Sequence, residues 1–104
     1  MTRTILTLAA LLLALPLTAQ VQRAHTHIAS VLGRFGATMD DIAYETFFAT
    51  DMSAVLGDQE EMGAFFGVRA EAYGGNPQVS QSLIGVAELA APDLMIEIKV
   101  VAHV

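Results

Sequence analysis

Asn76-Pro77-Gln78-Val79-Ser80-Gln81-Ser82-Leu83-Ile84-Gly85-Val86-Ala87-Glu88-Leu89 and, after a short break, Asp93-Leu94-Met95-Ile96-Glu97-Ile98-Lys99-Val100-Val101-Ala102 carry the reading of the fold. Both runs are rich in β-branched and aliphatic residues, and the second alternates with period two. Leu94, Ile96, Ile98 and Val100 fall on one face; Met95, Glu97, Lys99 and Val101 fall on the other. Two strands are therefore expected, over residues 79–89 and 94–103. Ala90-Ala91-Pro92-Asp93 would join them as a hairpin.

Upstream, Val21, Ala24, Ile28, Val31, Leu32 and Phe35 recur at helical spacing, which predicts a helix over residues 20–35 with Gly36 as its stop. Gln22, Arg23, Thr26, His27 and Ser30 would face solvent. Residues 37–41 form a turn. Residues 42–50 are aromatic and β-branched, as in a central strand. After a loop at 51–57, Asp58 and Glu61 are spaced as a capping box, opening a helix over 59–66 with Met62, Phe65 and Phe66 inward. Gly67 would stop it. A long connection, 68–78, carries Gly74, Gly75 and Pro77. The order helix, strand, helix, strand, strand implies an α+β domain with two helices on one face of a mixed sheet.

The N-terminal segment stands apart. Met1-Thr2-Arg3 is followed by an almost unbroken apolar run, Ile5 to Leu17, and by Leu17-Thr18-Ala19. This is the pattern of a secretory signal peptide cleaved after Ala19. The alternative is an apolar helix or strand that packs on the domain. The run is shorter than the roughly 20 residues of a membrane span. The expected division is 1–19 as leader or apolar segment and 20–104 as the domain. A cleaved product would be periplasmic or secreted and an uncleaved one cytoplasmic, with no membrane partner after cleavage.

The chain has 104 residues, enough for one small domain, and a formal net charge of −6. That charge disfavours nucleic acid, whose phosphates would be repelled. There is no cysteine, which excludes disulfides, thiolate nucleophiles and cysteine metal sites. His25 and His27 point about 200° apart on a helix and cannot both grip one metal, so no metal or cofactor is expected. Neither a nucleophile elbow nor a phosphate-binding glycine loop is present. Phe47, Phe48, Phe65 and Phe66 are core, or one of them lines an apolar pocket. Glu97 is the acid of interest in its apolar strand. Two readings stand: an exposed ion pair with Lys99, or a carboxylate at a subunit or domain interface that orients a water.

At these residues the chain resembles the Rid family, the reactive-intermediate deaminases of YjgF type. Their closing region has an Arg-Ser-x-Val-x-Val-Ala-x-Leu strand, a turn, then Ile-Glu-Ile followed by small and apolar residues. Ser82, Ile84, Val86, Ala87 and Leu89 match the first motif; Ile96-Glu97-Ile98 and Ala102 match the second. Phe35-Gly36, Asp41-Ile42, the Thr46–Phe48 strand, Asp51 and Phe65-Phe66 fall in family order. The resemblance implies a chorismate-mutase-like fold and a homotrimer with small-molecule pockets at subunit interfaces. It further implies hydrolysis of enamines or imines to keto acids and ammonia, with Glu97 positioning water. The family's carboxylate-binding Arg falls on Gln81, and a neutral amide lacks that bidentate charged grip. Arg69 and Leu83 join Gln81 as expected substrate contacts. The family's opening hairpin is replaced by the leader-like segment. Three functional readings follow: an imine or enamine deaminase, a non-catalytic ligand-binding or interaction module, and a truncated inactive product.

Overall fold

The computed structural model describes residues 3–9, in backbone only, and residues 15–104. The expected leader falls partly outside them, at residues 1, 2 and 10–14. Of its described residues, Arg3–Ala9 is a strand, β1, and 17–19 open the first helix. Then follow helix α1 (Leu17–Gly33), a 3-10 turn at Met39–Asp41, strand β2 (Ile42–Ala49), helices α2 (Met52–Leu56) and α3 (Gln59–Ala72), and strands β3 (Ser80–Gly85) and β4 (Ile96–His103). The strands form one mixed sheet in the order β1-β4-β2-β3. The α+β class is as expected; the strand order is not. Among the described residues no helix is long and apolar enough to cross a membrane.

Helix α1 buries Val21, Ala24, His25, Ile28 and Leu32, a stripe spaced three to four residues apart. It starts three residues before the expected position, so the anticipated cleavage point after Ala19 lies within its first turn. It ends two residues early, because Gly36 adopts φ +73° and the Ala37 amide donates to the Leu32 carbonyl at 3.0 Å. Phe35 therefore falls beyond the helix and is 57% exposed rather than inward.

The expected hairpin between β3 and β4 does not form. β2 lies between them, parallel to β3 and antiparallel to β4. β2 carries Phe47 and Ala49 on a face that needs cover, so it takes the centre. β3 has exposed Ser80 and Ser82 and suits an edge. The parallel step from β2 to β3 runs through α2 and α3, as a parallel crossover requires. The 51–57 loop is in fact α2, whose Asp51 carboxylate accepts from the Ser53 and Ala54 amides. Asp58 caps α3 as expected, accepting from the Glu61 amide at 2.7 Å.

α3 continues through Gly67 to Ala72, so Arg69 lies on a helix rather than in a loop. A glycine costs a helix only about 1 kcal/mol. Burial of Phe65 and Arg69 on the same element outweighs that cost.

The pleat divides the sheet into two faces. Glu45, Phe47 and Ala49 of β2 and Ile96, Ile98, Val100 and Ala102 of β4 are buried beneath the helices. A register shift between Ile42 and Tyr44 turns Ile42 inward, 5% exposed, while Tyr44 stands outward at 45%. Tyr44, Thr46 and Phe48 of β2 share the open face with Glu97 and Lys99 of β4 and Ser80, Ser82 and Ile84 of β3. β1 covers the other edge of β4 in an antiparallel register from Arg3↔His103 to Ala9↔Glu97.

Candidate functional site

The chemistry-bearing residues separate onto the two faces. On the helix-covered face the centre is Glu45, which is 1% exposed. Arg69 Nε donates to its Oε1 at 2.7 Å. His25 Nε2 and the Tyr73 hydroxyl both bond its Oε2, at 2.7 and 2.6 Å. Arg69 also donates through Nη2 to the Val79 carbonyl at 3.0 Å, tying α3 to the entry of β3. Its guanidinium carbon stands 5.3 Å from the centre of the Tyr73 ring.

Burial on its own would raise the Glu45 pKa. The hydrogen bond and charge of His25, then the bonds from Tyr73 and Arg69, outweigh it and hold the carboxyl below its ordinary value. Burial, then the negative charge of Glu45 and the bond to it, push the Tyr73 phenol far above its ordinary value. Glu45 is thus an ionised carboxylate with three side-chain donors, inside the core.

Sequence reasoning placed the buriable acid at Glu97 and passed over Glu45. A signal was available: Glu45 is an acid in an otherwise apolar strand, two residues from Phe47. Its partners lie 20, 24 and 28 residues away, which local patterns do not reach. His25, expected to be exposed or packed, is packed at 2% exposure, while His27 is exposed. Among the described residues no group of three His, Cys, Asp or Glu is placed to hold a metal.

Gln81 pairs with Glu45 in the parallel register, and Leu83 pairs with Phe47, so both face the helices. Leu83 packs against the core. The Gln81 amide nitrogen is buried and has no partner among the described residues. Arg69, Gln81 and Leu83 therefore share a side of the sheet.

Glu97 does not join them. It pairs with Phe48, which pairs in turn with Ile84, making one row across the open face. The next row is Lys99, Thr46 and Ser82. Both ion pairs among the described residues centre on Glu45, so Glu97 and Lys99 are not bonded to each other. Glu97 and Lys99 are each half-buried. The open face thus offers a carboxylate beside Phe48, with Ile84 beyond it, and an ammonium beside the Thr46 hydroxyl, with Ser82 beyond it.

The family model described as Endoribonuclease L-PSP matches residues 10–104. No curated protein matches in sequence. Among solved structures, Rv2704 of Mycobacterium tuberculosis, a member of the YjgF/YER057c/UK114 family, is 28% identical with a TM-score of 0.74. That match covers 96% of this chain and 79% of Rv2704. YyfB of Yersinia pestis, of the Rid family, is 26% identical with a TM-score of 0.70, over 94% of this chain and 78% of its own. Yeast Mmf1 shares the fold, with 19% identity, a TM-score of 0.69, and coverage of 86% and 65%.

Proposed function

The chain belongs to the Rid family, the YjgF or L-PSP type, and from that premise we propose that it hydrolyses a small imine or enamine to a carbonyl compound and ammonia at the open face of its sheet. One observation carries this reading: Glu97 is half-buried beside Phe48, at the β4 end of the row Glu97, Phe48, Ile84, with no cation bonded to it among the described residues. A carboxylate held in partly apolar surroundings can take a proton from water as the water adds to a C=N carbon. The carbinolamine so formed releases ammonia and leaves the carbonyl. A flat sheet face does not enclose a ligand, so a second copy of the chain, within a homotrimer, closes the cleft.

With the family's guanidinium replaced by Gln81 on the opposite face, Lys99 takes the anchoring role. Its ammonium, in one row with Thr46 and then Ser82, is suited to a substrate carboxylate as a point charge rather than a fork. RNA cleavage is disfavoured by the net charge of −6.

The test is carbonyl and ammonia release from 2-aminoacrylate-type imines by purified protein. Glu97→Gln should lower turnover by about 10²–10⁴-fold, at an unchanged melting temperature. Lys99→Met should raise KM for carboxylate-bearing imines by about tenfold, roughly 1.4 kcal/mol, and leave neutral imines unaffected. Undiminished turnover in Glu97→Gln overturns the assignment. A second reading, a ligand-binding module without turnover, is favoured by the turning of Gln81 away from Glu97. Saturable binding of a keto acid to a stable trimer that lacks imine hydrolysis would establish that reading instead.

A further inference from the structure

Glu97 stands at the end of the sheet rather than inside it. The pairing of β1 with β4 stops at Ala9↔Glu97, and that of β2 with β4 stops one residue further, at Ala49↔Ile96. Lys99, by contrast, has paired residues on both sides of it along both ladders. The approach to Glu97 is therefore held by whatever grips Met95.

Two elements grip it. The Thr50 amide donates to the Met95 carbonyl at 3.1 Å. In an antiparallel pair the Met95 N–H would return to the Thr50 carbonyl. It goes instead to Gln20 Oε1 on α1, at 2.9 Å. Gln20 Nε2 donates in turn to the Asp93 carbonyl at 3.0 Å and to the Leu15 carbonyl at 3.1 Å. Gln20 is fully buried, and both of its amide hydrogens and its oxygen are engaged. A buried amide satisfied in this way is held in one orientation, because turning it strands polar groups out of reach of water.

We propose that Gln20 is a positioning residue for Glu97: by holding the Met95 N–H and the Asp93 carbonyl on α1, it fixes the angle at which β4 enters the sheet and so the place of the carboxylate on the open face. The inference rests on the hydrolytic reading of Glu97. Gln20 lies in the helix layer and touches no substrate. Without its amide, the Met95 N–H is free to complete the pair with Thr50. That lengthens the ladder by one bond and turns the backbone two residues ahead of Glu97. Lys99, deeper in both ladders, keeps its place. The group that handles water moves, and the group that anchors the substrate does not.

The test is Gln20→Met in the full chain, which keeps the volume and removes the side-chain hydrogen bonds. Its control is Leu32→Ala, a buried truncation toward the other end of α1. Both should lower the melting temperature. Gln20→Met alone should lower kcat for imine hydrolysis, on the order of 10²-fold, with KM unchanged, and should shift the ¹³C resonance of the Glu97 carboxylate. Leu32→Ala should leave kcat and that resonance as they are. Gln20→Glu should keep most of the wild-type kcat, because burial holds its carboxyl protonated, still able to accept from Met95 and to donate once. Gln20→Asn, one methylene short of its partners, makes the same cut where Gln20→Met does not fold. Equal effects of Gln20→Met and Leu32→Ala on kcat overturn the proposal, as does a Glu97 resonance unmoved in Gln20→Met. The resonance is read without turnover. A wild-type chain inactive on imines therefore defeats the hydrolytic reading, while the spectrum still decides whether Gln20 places Glu97.

Discussion

Replacing Glu45 by leucine tests what holds the helix layer to the sheet. The substitution is close in volume and removes the carboxylate that accepts from Arg69 Nε, His25 Nε2 and the Tyr73 hydroxyl together. Arg69 is 8% exposed and would remain as a buried cation without its carboxylate. Breaking a buried pair in this way costs about 3–5 kcal/mol. A domain of this size has roughly 5–15 kcal/mol in total. At about 4–8 °C per kcal/mol, the melting temperature should fall by at least about 12 °C.

Urea unfolding followed by circular dichroism gives the free energy, and calorimetry gives the temperature. Arg69→Met should also destabilise, and the double variant should lose less than the sum, with a coupling of about 1–3 kcal/mol. The pH dependence has a definite sign. The folded-state pKa of Glu45 is lowered from 4.5, so the unfolded chain takes up its proton first as acid is added. The contribution is whole above pH 4.5 and is lost as pH falls through the lower folded-state value. The gap between wild type and Glu45→Leu should therefore narrow in acid. A loss under about 1 kcal/mol in Glu45→Leu, or strict additivity with Arg69→Met, would refute the account.

Two further outcomes follow from the same geometry. Tyr73→Phe removes one charge-assisted donor to Glu45 and should cost about 1.5–3 kcal/mol in urea unfolding, with the fold unchanged by near-ultraviolet dichroism. Gln20 is fully buried, donates to the Leu15 and Asp93 carbonyls and accepts from the Met95 amide; Gln20→Ala should cost about 1–3 kcal/mol and speed hydrogen exchange at Met95.

The parts of this fold that were legible in the sequence are those set by nearby residues. The stripe of α1, the cap at Asp58 and the alternation of β4 each follow from contacts within a few positions. The parts that were not legible are settled by competition at a distance. Gly67 reads as a stop, yet α3 passes it, because Arg69 gains a buried carboxylate that a loop would not have delivered. β3 and β4 read as a hairpin, yet β2 is the more apolar strand and takes the place between them. That single insertion decides the candidate site. Alternation fixes which residues of one strand share a face, but only the register between strands says whether Gln81 and Glu97 do. With β3 parallel to β2 and Gln81 opposite Glu45, Gln81 turns toward the helices. With Phe48 opposite both Ile84 and Glu97, the acid turns the other way. A carboxylate anchor for Glu97 must therefore come from its own face, where Lys99 stands two residues along, or from another copy of the chain.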